Sequence, residues 1–436
     1  MVCRYIIIGT GPAGIAAAEA IKKQDPRGET LLIGDDPHYF YSRPGLAYYV
    51  SGEIGWRELL LSQAGQFRHL NERAIKVDPA ARTVILESSR TCSYDKLLLA
   101  TGAMSAKLSV PGEDLEGVFN LDNMDDARQM VKLAARSRTA VVTGGGITAL
   151  EIVEAMMQRG LKTHFVFRRE RYWDSVLDDI ESGIIESRLS ERGVQMHRQG
   201  QLLQISGHRG KVSGVEIEGG PPIECQIVGV ATGVRPRLEL AVSAGLKTNR
   251  GVLTNEYLQT SDPDIFAAGD VVEISDPLSG KTTLEMLWGK AIQQGRVAGG
   301  NMAGAGLPYI KSIPFNVVRL TGLTTTIIGT VGGNEVKKGD VLAISRGESE
   351  TWRYHPDVIA VQSNFTVNRT RILFDNKNIL GAIVMGDQAL SRPLHELIAQ
   401  RVDISAIRAQ LFNPQFTLAN VIVQFWTDWR DSHEKP

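Results

Sequence analysis

A chain of 436 residues, 43% hydrophobic and 22% charged, carries enough apolar material for about three cored domains. A net charge of −1 gives no electrostatic basis for binding nucleic acid or an anionic membrane. No apolar run reaches the roughly 18 residues that cross a bilayer, and the first one begins so near Met1 that no signal peptide is expected. Cys3, Cys92 and Cys225 lie far apart without a C-x-x-C, which speaks against a redox disulfide of that kind. The 8 histidines are scattered without ligand spacing, so no metal site is expected. A cytoplasmic protein is the default reading.

The run Tyr5-Ile6-Ile7-Ile8 reads as a buried strand and leads directly into Gly9-Thr10-Gly11-Pro12-Ala13-Gly14. The alanine-rich stretch 15–21 then reads as helix. In this strand–turn–helix setting the G-x-G-x-x-G motif predicts dinucleotide binding. Gly9 allows the tight turn, Gly11 the approach of a pyrophosphate, and Gly14 the packing of helix on strand. The helix start offers unpaired N–H groups to the phosphates. A second strand, 30–33, ends at Gly34-Asp35-Asp36. Asp35, about 21 residues past Gly14, stands where a carboxylate accepts the ribose hydroxyls of a bound adenosine. Residues 40–49 read as an aromatic loop with Pro44-Gly45 as its turn signal.

Leu97-Leu98-Leu99 is another buried strand, closed by Ala100-Thr101-Gly102. The pattern then repeats: a strand at 139–142, the turn Gly144-Gly145-Gly146-Ile147-Thr148-Ala149, a helix at 150–158, a strand at 163–167, and a second Ala231-Thr232-Gly233 turn. Such duplication strengthens both glycine motifs. Further on, Ile265-Phe266-Ala267-Ala268-Gly269-Asp270 is a short apolar strand ending at a carboxylate. Leu287-Trp288 and a helix at 291–300 follow. Strands are predicted at 316–320, 324–330, 364–374 and 379–385, with a hairpin turn at 375–378 and a helix at 390–400.

These motifs resemble the flavin-dependent pyridine-nucleotide oxidoreductases of the glutathione-reductase structural class. Within it, the similarity is greatest to rubredoxin and ferredoxin reductases and to the flavin module of assimilatory nitrite reductases. The resemblance implies an α/β fold with two Rossmann-like domains and a C-terminal α+β interface domain. Residues 1–112 and 248–311 would bind FAD, 113–247 would bind NAD(P), and 312–436 would support a homodimer or a larger complex. It also implies that Gly9, Gly11, Pro12, Ala13, Gly14, Asp35, Thr101, Gly102, Gly269 and Asp270 serve FAD, with Arg43, Pro44 and Trp288 near its ring. Gly144, Gly146, Ala149 and Gly233 would serve the nicotinamide coenzyme, and Glu151 would sit beside the nicotinamide. Glu151 and Arg43 are the residues expected to assist the reaction.

Three departures narrow the function. Disulfide reductases of the class carry a C-x(4)-C pair that this chain lacks, and other relatives a single cysteine where this chain has Pro44; thiol chemistry at the flavin is therefore not expected. Ala47-Tyr48 replaces the Ser-Lys of rubredoxin-type reductases. Phe167 replaces the ribose-binding glutamate of NADH users, Arg168 and Arg169 follow it, and Ala149 replaces the third glycine; together these favour NADPH over NADH. The expected activity is hydride transfer from NAD(P)H to FAD and electron delivery to a redox protein. Two alternatives stay open. The apolar tail 416–426 with Trp426 and Trp429 would suit a membrane-docked quinone reductase. A lost ribose ligand at Phe167 would suit a non-enzymatic flavin subunit. For His355 or His395, an approach to the flavin ring is a further expectation by analogy.

Overall fold

Two uninterrupted apolar runs, at 5–8 and 140–142, seed two parallel sheets. The computed structural model describes residues 3–38, 40–61, 67–275, 282–331, 368–375, 377–411, 413, 415 and 417–433. In chain order the main elements are β1 (Arg4–Ile8), α1 (Pro12–Gln24), β2 (Glu29–Gly34), α2 (Leu46–Ser51), β3 (Arg68–Asn71), β4 (Lys96–Leu99), β5 (Val118–Phe119), α3 (Met124–Ala134), β6 (Thr139–Thr143) and α4 (Ile147–Gln158). Then come β7 (Lys162–Phe167), α5 (Asp179–Glu191), β8 (Gln195–Arg198), β9 (Ile227–Val230), β10 (Ile265–Ala267), α6 (Trp288–Met302), β11 (Phe315–Leu320), β12 (Leu323–Gly329), β13 (Arg369–Phe374), β14 (Ile379–Met385), α7 (Ser391–Ala399) and α8 (Leu418–His433). The chain forms two compact units. One holds Met1–Arg168 with Val194–Lys311, the other Arg169–Gly193 with the chain from Ser312 onward.

In the first unit one sheet has the order β10-β4-β1-β2-β3 and the other β8-β7-β6-β9-β5, every pairing parallel. Ile7 lies between Leu32 and Leu98, and all three are buried. Burial on both faces is why these strands read as continuous apolar runs. In each sheet the chain leaves the central strand to one side and returns on the other. This creates the switch-point crevice where α/β sheets bind ligands. Helices α1 and α6 pack backbone to backbone. A Cβ on Gly295 would lie 2.2 Å from the Ala13 carbonyl oxygen, and one on Gly299 2.3 Å from that of Ala17. The small residues of both helices serve this approach.

One expectation needs correction. The stretch read as loop becomes helix α2 from Leu46, with Leu46, Ala47, Tyr48 and Val50 buried. Being apolar almost all round, it shows no amphipathic period.

The second unit is an antiparallel sheet, β11-β12-β14-β13, with α7 and α8 around the core. The predicted strand at 364–374 is observed as β13, its first residues lying outside the described ones, as do His355 and Asn376. In the hairpin turn the Asp375 carboxylate accepts from the Lys377 and Asn378 N–H groups. His395 packs edge-on against Phe315, ring centroids 4.8 Å apart. Arg369 and Arg371 pair with Asp178 at 2.6 Å and with the buried Glu181 at 3.0 Å, which ties α5 to β13. The apolar tail is helix α8. Val421 and Ile422 are buried, and Phe425, Trp426 and Trp429 pack on this unit's own core. The Trp426 Nε1–H donates to Glu396 at 2.7 Å. Most of its apolar side chains are thus used within the unit, Val423 being exposed, and among the described residues no helix is long and apolar enough to cross a membrane.

Two histidines distant in sequence meet on β7 and β8. His164 Nδ1 and His197 Nε2 are 3.0 Å apart with the rings stacked. Burial, and then the His197 and Lys162 charges, lower His164 to about 4; burial lowers His197 as well. Both are held neutral at pH 7, and an unfolded His164 would take up a proton first as the pH falls. Stability is expected to drop between about pH 6.5 and 4, and His164→Phe should flatten that part of the melting curve against pH. An unchanged slope in the variant would refute the assignment.

Candidate functional site

The two glycine turns are built alike. Gly9 has φ +117° and Gly144 φ +148°. A Cβ on Gly9 would lie 2.0 Å from the Ala100 carbonyl oxygen, and one on Gly144 2.2 Å from that of Ala231. The same alanines donate their N–H groups to Ile8 O at 2.8 Å and Thr143 O at 2.9 Å. Each Ala-Thr-Gly turn therefore closes against the first glycine of its own motif. Gly14 also has no room: a Cβ there would meet Gly9 O at 2.0 Å. Its counterpart Ala149 carries a real methyl, fully buried, in the second turn.

Gly11 is different, since a Cβ there meets no protein atom within 4 Å. It faces a cavity of about 460 Å³. Neither α1 nor α4 has a side-chain cap or an acidic residue in its first turn, whereas Asn123 caps α3 and Asp178 caps α5. Uncapped helix starts behind glycine turns suit an anionic pyrophosphate. The described residues at the first turn fit a dinucleotide.

The cavity gathers Gly9, Gly11, Pro12, Ala13, Asp35, Arg43, Pro44, Thr101, Gly102, Gly269, Asp270 and Trp288. Thr148 and Glu151, from the start of α4, line it too. The second repeat thus contributes directly to the cavity of the first. Gly14, Gly144, Gly146, Ala149, Arg168 and Gly233 do not line it, and Arg169 belongs to the other unit. Phe167 is buried at the end of β7, while Arg168 is exposed and has no ion pair among the described residues. Arg171 is paired with Asp179, and Arg169 lies 4.0 Å from Asp174.

Of the neighbouring acids, both of which line the cavity, Asp36 accepts from Tyr41 Oη at 2.9 Å and from the His38 N–H at 3.0 Å, while Asp35 is the more exposed. Burial raises the Tyr41 hydroxyl well above its ordinary value, so it remains a donor. Arg43 donates to Asp122 O at 3.2 Å and lies 3.8 Å from Asp36. Trp288 opens α6 and stacks on Phe40 at 5.8 Å.

Sequence reasoning missed the support behind Gly269-Asp270. Gly269 has φ +83° and donates its N–H to the Gln294 Oε1 at 2.8 Å. The Gln294 Nε2 donates to Glu285 at 3.3 Å, Tyr309 Oη donates to the same oxygen at 2.7 Å, and Lys290 Nζ lies 3.9 Å from the carboxylate. Gln294, Glu285 and Lys290 are all buried. The 72–75 segment and Arg237, which also line the cavity, had no motif to announce them. The one signal for Gln294 was its place on the small-residue face of α6.

Two parallel sheets with matching glycine turns, the second repeat contributing Thr148 and Glu151 to the cavity of the first, define a class built on a repeated dinucleotide-binding unit. The sequence model of the pyridine nucleotide-disulphide oxidoreductases matches residues 3–295. The chain belongs to this family. It is 31% identical over 319 residues to rhodocoxin reductase of Rhodococcus erythropolis, covering 71% of this chain and 74% of that one. It is 25% identical over 420 residues to the assimilatory nitrate reductase electron transfer subunit of Bacillus subtilis (strain 168), covering 94% of this chain and 51% of that protein. The chain thus spans about half the length of that relative. Its fold matches that in the crystal structure of the covalent putidaredoxin reductase–putidaredoxin complex, with a TM-score of 0.82 at 21% identity over 97% of this chain and 98% of the other.

The difference between the two glycines gives a test. Gly11→Val is expected to leave the melting temperature of the FAD-free protein unchanged and to weaken FAD binding by roughly tenfold or more. Gly9→Val, which collides with backbone, should cost about 1–3 kcal/mol of stability. Equal stability losses in both variants would contradict the cradle.

Proposed function

We propose that the cavity holds FAD and that this chain passes a hydride from NADPH, with NADH the poorer donor, to that flavin and then electrons to a small redox protein of the rubredoxin or ferredoxin kind. The observation that carries the reading is the meeting of the two repeats, with Thr148 and Glu151 of α4 in the cavity of the first glycine turn. Bound FAD supplies the hydride-accepting and one-electron chemistry. Gly9, Gly11 and the start of α1 would hold its pyrophosphate, Asp35 its adenosine ribose, and Gly269-Asp270 its ribityl side. Glu151 would orient the nicotinamide, and the Arg43 guanidinium would favour added negative charge. The resemblance to rhodocoxin reductase supports a protein acceptor. A homodimer, or a place in a larger assembly, goes with this reading, as do the domain limits 1–112 with 248–311, 113–247 and 312–436.

No cysteine lines the cavity among the described residues, and Pro44 does. Cys225 is buried, which pushes its thiol up to about 12. Electrons would therefore leave without a thiol relay. The preference for NADPH rests on Arg168, exposed and without an ion pair among the described residues, where Phe167 leaves no carboxylate for a ribose diol. A charge-assisted hydrogen bond is worth about 1.5–3 kcal/mol, roughly ten- to hundredfold in affinity.

Anaerobic titration with each coenzyme tests this. NADPH should bleach the flavin at lower concentration than NADH, and Arg168→Ala should remove most of that preference while leaving NADH unaffected. If neither coenzyme bleaches the flavin, the dehydrogenase reading fails; if NADH is preferred and Arg168→Ala changes nothing, only the coenzyme assignment fails.

A further inference from the structure

Helices α2 and α4 both start at the cavity, α2 just after Pro44 and with Ala47 in the lining, α4 with Thr148 and Glu151. They pack against one another. At their far ends a side chain of α4 reaches α2. Arg159, the C-terminal cap residue of α4, donates its Nε–H to the Val50 carbonyl near the end of α2. Its Nη2 would lie 3.8 Å from a Cβ on Gly52, the left-handed residue that closes α2 with φ +92°.

The carbonyls around it are otherwise taken. Tyr48 O accepts from Glu53 N at 2.9 Å, Ile54 N at 3.3 Å and Ser51 Oγ at 2.8 Å, while Tyr49 O accepts from Gly52 N at 3.1 Å. Arg159 fills the Val50 carbonyl that the turn leaves over, and a cation at a helix C-terminus is favoured electrostatically. Partial burial lowers the guanidinium's pKa, so the group has given up solvent for this contact. Removing it would take away this link at the end away from the cavity.

We infer that Arg159 is a positioning residue that clasps α2 to α4 and so fixes the spacing between the two halves of the cavity. The inference rests on the proposed hydride transfer, because that reaction depends on the spacing. A misplacement of about 1 Å can cost up to a hundredfold in rate.

The test compares FAD-loaded Arg159→Met, which keeps the stem and loses the donors, with Arg159→Lys and the unaltered protein. In Arg159→Met, amide hydrogen exchange at Gly52, Glu53 and Ile54 should rise about tenfold. Flavin bleaching by saturating NADPH should slow about tenfold, while FAD retention and bleaching by dithionite stay as in the unaltered protein. Arg159→Lys should recover part of both effects. Unchanged exchange at 52–54, or NADPH and dithionite bleaching slowed alike, would overturn the clasp. Failure of NADPH to bleach even the unaltered protein would refute the proposed function instead, with the exchange measurement still deciding the clasp.

Discussion

The contact of a glycine with the end of a neighbouring strand governs this molecule. Gly9 lies under the Ala100 carbonyl and Gly144 under that of Ala231, each at a distance no side chain could enter. That contact turns the chain at the C-terminal edge of the sheet and aims an uncapped helix at the crevice. It also explains why the Ala-Thr-Gly turn recurs with the glycine motif. The two are halves of one packing arrangement, so neither repeats without the other.

The second constraint is that the repeats share a cavity. The first turn supplies the glycines, and the start of α4 supplies Thr148 and Glu151. Around this space and behind it the protein uses buried and half-buried polar side chains as struts. Gln294 holds the Gly269 N–H, Glu285 holds Gln294 and Tyr309, and Arg159 holds the end of α2. Burying Glu285 with Lys290 is costly unless hydrogen bonds compensate, and the Tyr309 and Gln294 contacts provide them.

How much of this was legible depended on the range of the interaction. Glycine turns, buried strands, Asp35, Asp270 and Trp288 are announced by residues next to them in the chain. Pro44 was legible as the loss of a nucleophile. Gln294 and Gly269 are 25 residues apart, and Arg159 and Val50 are 109 apart, so no local pattern joined them. Helix α2 was hidden because its residues are buried on nearly every side, which erases the helical period. The apolar tail carried two meanings in sequence, and only packing showed its tryptophans used within their own unit. His164 and His197 looked scattered because adjacent parallel strands bring together residues 33 apart.

The account's central claim is that two similar turns serve two different dinucleotides that meet in one cavity. FAD-loaded Gly146→Val tests it most directly, because a Cβ at Gly146 meets no protein atom within 4 Å and the fold should survive. The account predicts FAD retention like that of the unaltered protein, with anaerobic bleaching by NADPH lost and bleaching by dithionite intact. Bleaching by NADPH at the unaltered rate would contradict it.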